Sequence, residues 1–235
     1  MPTDTTTSAF AVLLRHGHYE QPEGVPSAWL PHPLTARGRE QAASAIELVR
    51  ACLEDAGVAL APTIYCSSLL RAFETAQIVA RTLGRSPDAV VSTPALSERG
   101  LGALANLSVT AIEEIARRDP RVGPLPVGWK SSSHVKLPYD GAESLMEAGA
   151  RVAAFVEARC RAAAEREGPA SATLFVGHGA AFRHAAVTLG VLDLSQIPAL
   201  SMHHCKPVLL ERRSLGHWRH AGGAWKQRRR DEGHD

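Results

Sequence analysis

Four short apolar runs, at 10–14, 62–68, 89–96 and 172–179, set the architecture of this chain. Each is β-rich, and helix-period segments lie between them. After the first, Ala42, Ile46, Val49 and Leu53 recur at helical spacing, with Thr35 placed to cap the start and Gly57 to end it. After the second, Leu70, Phe73, Ala76 and Ala80 share one face, and Gly84 follows. The spacing Thr110 to Glu113 has the form of a capping box opening a short helix that Pro120 stops. The stretch 121–141 is rich in Pro, Gly and Ser and reads as loop. A long helix is expected from about 142 to 167, ended by Gly168, and another after the fourth strand. "PVLLERR" and "HWRHAGGAW" read as a closing strand or hairpin, with Trp218 and Trp225 in its core. Strands alternating with helices predict an α/β fold. Its mostly parallel central sheet carries helices on both faces, a three-layer α/β/α arrangement.

The 235 residues, 45% of them hydrophobic, suit a single catalytic domain over 1–235 with a lid-like insertion around 99–141. A net charge of +2 gives no reason to expect nucleic acid as a partner. The C-terminal "WKQRRRDEGHD" reads as a solvated tail. Cys52, Cys66, Cys160 and Cys205 form no CxxC pair and read as buried free thiols of a reducing compartment. With no signal peptide or membrane-length apolar run in view, the expectation is a cytoplasmic protein without a membrane partner. A homodimer is compatible with all of this.

In parallel sheets, ligands gather at the carboxyl ends of the strands. Here those ends read "LLRHG", "YCSS" leading to Arg71, and "LFVGHG", with Glu98 just past the third. Parallel strands therefore bring Arg15, His16, Arg71, His178 and Glu98 to one edge. Two arginines and two imidazoles match the oxygens and charge of a phosphate monoester. Gly17 and Gly179 are further phosphate-contacting positions, the latter through the N–H groups of a helix start. A neutral histidine can attack phosphorus to form phosphohistidine, and flanking arginines favour its neutral form. A carboxylic acid must protonate the leaving oxygen, and Glu98 is the candidate. This chemistry requires no metal and no other cofactor.

"RHG", "SSLLRAFETA", "ERGLGAL" and "GHG", in this order, resemble the histidine phosphatase superfamily, which includes cofactor-dependent phosphoglycerate mutases and many phosphatases. The resemblance runs from about 11 to 185, and "PLTARGREQA" also matches the family's first helix. It implies a phosphoglycerate mutase-like fold. His16 would be the phosphorylated nucleophile, Arg15, Arg71 and His178 the phosphate pocket, and Glu98 the proton donor. Mutases of the family follow "RHG" with Glu or Gln, then Ser, and an Asn shortly after. This chain has His18, Tyr19 and Glu20, closer to phosphatase branches and to a branch acting on phosphoproteins. "ERGLGALANLS", by contrast, is close to the mutase form. The expected activity is metal-independent hydrolysis of a phosphorylated small molecule or phosphoprotein. A mutase is the alternative, and an inactive phospholigand-binding member is a further one.

Substrate selectivity has its own candidates. Arg99 is a phosphate or substrate contact, or part of a salt bridge. His18 is a site residue or a packed turn residue. Lys130, His134 and Lys136, near Trp129 in the long loop, are either solvated or a lid's cations for an acidic substrate. His203, His204 and Cys205 are adjacent, and neighbours on a strand point to opposite faces, so no metal site is expected there.

Overall fold

A computed structural model describes residues 8–25, 29–168, 170–213 and 216–228. In chain order its elements are β1 (Ala9–Arg15), α1 (Ala36–Ala56), β2 (Ala59–Ser67), α2 (Leu70–Thr82), β3 (Val90–Thr93), α3 (Val109–Arg118), α4 (Leu145–Glu167), β4 (Ser171–Gly177), α5 (Gly179–Thr188), β5 (Leu200–Ser201), β6 (Pro207–Arg212), β7 (Trp218–Gly223) and β8 (Lys226–Gln227). The main sheet has the order β3-β2-β4-β1-β6-β7. Its first four strands are parallel, β6 runs antiparallel to β1 and β7 antiparallel to β6, and β5 pairs with β8 in a separate two-stranded sheet.

Alternation along β1 builds the three layers. Phe10, Val12 and Leu14 face Ile46 and Val49 of α1 and Ala76 and Val79 of α2. Ala9, Ala11 and Leu13 face Val152 and Val156 of α4 and Phe182 of α5. Both faces of a central parallel strand are thus covered, which explains its unbroken apolar run. The chain leaves β1 through α1 on one face and leaves neighbouring β4 through α5 on the other. The carboxyl ends of these two strands are therefore the sheet's switch point, where a crevice opens.

Several boundaries differ from the sequence reading, each for a local reason. The third strand ends at Thr93, because Pro94 begins a 3₁₀ turn, Pro94–Leu96, capped by the Thr93 side chain. The second begins earlier, at Ala59, and its ladder with β4 is interrupted between Leu60 and Ile64, around Pro62. Ser108, rather than Thr110, caps α3 through the Ala111 N–H. The long helix starts at Leu145, where Ser144 and Glu147 form a reciprocal capping box. Thr35 and Gly57 bound α1 as expected.

The loop 121–141 is anchored by two buried side chains, while much of the rest is exposed. Trp129 and Leu137 join Leu101, Leu104, Ile112 and Ala142 in a small core of their own, and Trp129 Nε1 donates to Glu113 Oε1 at 3.0 Å. Trp218 is buried in the main core and Trp225 packs against it. The acidic end of the C-terminal tail lies outside the described residues. Among the described residues no helix is long and apolar enough to cross a membrane.

Candidate active site

The parallel register of β1 and β4 sets Arg15 beside Gly177, and the ladder continues one step, with His16 N–H donating to the Gly177 carbonyl at 3.0 Å. Arg15, His16 and His178 are thus delivered side by side where two strands stop. Arg71 enters from the first turn of α2, and His178 stands at the N-cap of α5. Both helices direct their N-terminal, positive ends at the site. These four side chains and Glu98 line one cavity of about 340 Å³.

The glycines of the motifs provide close approach. A Cβ on Gly17 would come 2.5 Å from the Gly38 carbonyl oxygen at the start of α1. The Gly17 N–H is given to Thr75 Oγ1 at 3.1 Å and Gly17 does not line the cavity, so its placement does not direct that N–H at a phosphate. Gly179 does line the cavity, and a Cβ on it would press to 3.3 Å from Arg15 Cδ.

His16 is only 3% exposed. Its Nδ1–H donates to the Gly17 carbonyl at 2.7 Å, which leaves the lone pair on Nε2. Its pKa is held well below the ordinary value, first by burial and then by His178, Arg71, Arg15 and His204. His178, 1% exposed, is lowered in the same way by burial, then Arg71 and Arg15. Its Nε2 shares a 2.9 Å hydrogen bond with Ser67 Oγ, while its buried Nδ1 has no hydrogen-bond partner among the described residues. Glu98 is half-buried, its two oxygens accepting from the backbone N–H groups of Arg99 (2.9 Å) and Ala180 (3.2 Å). Each oxygen keeps a lone pair for a proton.

Three neighbours were not singled out from sequence as site residues. The Tyr19 ring stands edge-on to His16, centroids 5.2 Å apart, and lies 4.5 Å from the Arg71 guanidinium carbon. His204 donates from Nδ1 to the His16 carbonyl at 2.6 Å. Ser67 orients His178. Only the "SS" of the strand-end motif offered a hint of these.

The selectivity candidates divide. Arg99 is 3% exposed, lines the cavity and stacks on Trp129, its guanidinium carbon 6.0 Å from the ring centroid. Lys130 lines the cavity as well, followed by Ser131, Ser132 and Ser133. His134 is exposed and outside the lining. Lys136 turns away to pair with Glu147 at 2.9 Å. The cation role expected of these last two therefore does not fit their placement. His18 is an exposed turn residue, its Nδ1 bonded to Thr35 Oγ1 at 3.0 Å. Among the described residues, no cluster of three His, Cys, Asp or Glu side chains has a metal-holding arrangement.

Residues 11–226 match the family model described as the histidine phosphatase superfamily (branch 1). The chain belongs to this superfamily. A 2,3-bisphosphoglycerate-dependent phosphoglycerate mutase of Parvibaculum lavamentivorans is 28% identical over 202 residues, 85% of this chain and 89% of its own. Among solved structures, a mycobacterial glucosyl-3-phosphoglycerate phosphatase shares the fold with a TM-score of 0.65 at 22% identity, covering 93% of this chain and 97% of its own. A phosphoserine phosphatase from Entamoeba histolytica does so with a TM-score of 0.61 at 17% identity, covering 91% and 95%. For this histidine phosphatase superfamily member, phosphoryl-transfer chemistry is the shared ground of these relatives.

Proposed function

We propose that the chain is a phosphomonoester hydrolase working through a phosphohistidine on His16, with no metal. The carrying observation is the buried His16, neutral and with its Nε2 lone pair available, among Arg15, Arg71 and His178. In the first step Nε2 attacks phosphorus and the bond to the ester oxygen breaks. Glu98 gives its proton to that oxygen, and the alcohol leaves. In the second, water attacks the phosphohistidine, Glu98 takes the water's proton, and phosphate departs with His16 and protonated Glu98 restored. Arg15 and Arg71 balance the charge of the transferring group, and His178 Nδ1 donates to one of its oxygens. Residues 99–141 act as the roof, with Arg99 and Lys130 facing the organic part of the substrate. Four buried free cysteines accord with a reducing, cytoplasmic setting.

The alternative reading, mutase activity, is the one named for a relative 28% identical to this chain. One assay separates the two: 3-phosphoglycerate with a trace of 2,3-bisphosphoglycerate, followed for both isomer and free phosphate. A hydrolase releases phosphate from phosphomonoesters, here and with an aryl phosphate, in the presence of EDTA. Rapid formation of 2-phosphoglycerate with little free phosphate would overturn the hydrolase reading. Activity lost to EDTA and restored by a divalent ion would overturn the metal-free mechanism.

A further inference from the structure

Glu98 lies on an irregular segment, not at the end of a packed strand as His16 and His178 do. The 3₁₀ turn Pro94–Leu96 precedes it and a second, Gly102–Leu104, follows. On one side, Gly100, Leu101 and Gly102 border a separate and largely apolar cavity of about 560 Å³. Leu96 and Leu101 are buried to either side of Glu98, and on the cavity side the backbone between them is also held by polar contacts.

Those contacts converge on one ion pair. Arg151, in the second turn of α4, forms a two-pronged pair with Glu143: Nε to Oε1 at 2.8 Å and Nη2 to Oε2 at 2.7 Å. Its remaining nitrogen, Nη1, donates to the carbonyls of Pro94 (3.2 Å), Ala95 (3.0 Å) and Ser97 (3.2 Å). Glu143 Oε2 in turn accepts the Gly100 N–H at 3.1 Å, and the Glu143 N–H donates to the Gly100 carbonyl at 2.9 Å. The ion pair therefore grips the backbone one residue before Glu98 and two residues after it. Both side chains are about three-quarters buried, with relative exposures of 26% and 25%. The planar guanidinium satisfies a carboxylate and three carbonyls at once, which a lysine ammonium cannot do in this geometry.

From this we infer that Arg151 and Glu143 are positioning residues for the proton donor: they set where the Glu98 carboxyl stands relative to the leaving oxygen. The inference rests on the reading of Glu98 as the acid. It differs from a purely structural role in one measurable way. A misplaced acid harms only those esters whose leaving group needs a proton. Phenol, with a pKa of about 10, needs one, whereas the far more acidic 2,4-dinitrophenol leaves as the anion. The two esters share a ring and a phosphate, and kcat/KM reports the steps up to phosphoryl transfer.

The test compares phenyl phosphate and 2,4-dinitrophenyl phosphate for wild type, Glu98→Gln, Arg151→Met, Arg151→Lys and Glu143→Gln, each checked for folding by circular dichroism. Glu98→Gln is expected to lower kcat/KM for phenyl phosphate about 100-fold or more and to leave the dinitrophenyl ester within a few-fold. Arg151→Met and Glu143→Gln are expected to follow the same pattern at about 10-fold, with Arg151→Lys between them and wild type. Glu143→Gln, which keeps the shape of the side chain, carries the test if Arg151→Met does not fold. If Glu98→Gln is selective but the folded clamp variants lose both esters equally, or neither, the positioning inference is overturned. If Glu98→Gln itself shows no selectivity, the reading of Glu98 falls, and the inference with it.

Discussion

Arg15, His16 and His178 face the same cavity as Lys130, Ser131, Ser132 and Ser133, yet the two groups stand on different foundations. The first are held at the ends of β1 and β4 in a six-residue parallel register, and the two histidines are almost wholly buried. The second are half-buried on a loop with a small core of its own. The floor is thus positioned by the main sheet before any ligand arrives, as electrostatic stabilisation of a phosphoryl group requires. The roof is tied to a satellite cluster and can vary without disturbing the sheet. On the proposed function, the difference places the nucleophile and the phosphate pocket on the sheet, and the contacts that choose the substrate on the loop.

The sharpest way to break this comparison is to remove the nucleophile. His16→Ala should leave circular dichroism and the denaturation midpoint close to wild type while phosphate release falls by about four orders of magnitude or more. Next comes Arg71, which reaches the floor from α2. Arg71→Ala should cost about 10²–10³ in kcat/KM, and Arg71→Lys should recover only part of it, because a point charge does not reproduce the two-pronged donor. If Lys130→Ala proves as damaging as either, the division between floor and roof is wrong.

Protons sharpen the comparison further. Burial first keeps both histidines neutral, then His178, Arg71 and Arg15 for His16, and Arg71 and Arg15 for His178, whereas in the unfolded chain each titrates near 6.5. Below that pH the unfolded state binds protons that the folded state refuses. Stability from these groups is therefore complete above about pH 6.5 and declines as the pH falls, by up to about 1.4 kcal/mol per pH unit for each histidine. Urea midpoints across this range should fall on acidification, and less steeply in His16→Ala. An unchanged slope in that variant would contradict the account of a buried, neutral His16.

The smallest effects belong to the roof. Lys130→Ala should weaken an acidic phosphoester a few-fold, about 0.5–1 kcal/mol, more than a neutral aryl phosphate. Lys136→Ala, whose partner is Glu147 on the surface, should alter neither. Equal losses from both lysines would mean that the loop moves as a whole over the substrate.

Floor and roof were also unequally legible in the sequence. Arg15, His16, Arg71 and His178 could be found because each follows a strand whose apolar run ends abruptly, and parallel strands end together. Tyr19 and His204 escaped because nothing in their spacing reveals a ring set against His16 or a bond to its carbonyl. Both depend on how the segments after β1 and β5 fold back. Lys130 and Lys136 looked alike in a Pro/Gly/Ser-rich loop. Only the burial of Trp129 and the ion pair to Glu147 separate the one that faces the cavity from the one that does not. The third strand's early end was written in Pro94, whose ring ends the ladder.

The central claim is that phosphorus passes through the His16 imidazole. Rapid acid-free quenching during turnover of an aryl phosphate, followed by digestion and mass spectrometry, tests it directly. The account predicts a phosphoryl group on the peptide containing His16, stable to base and lost in acid, and absent from His16→Ala. Steady turnover with that peptide unmodified at every quench time, or a phosphoryl group on another residue, would contradict it.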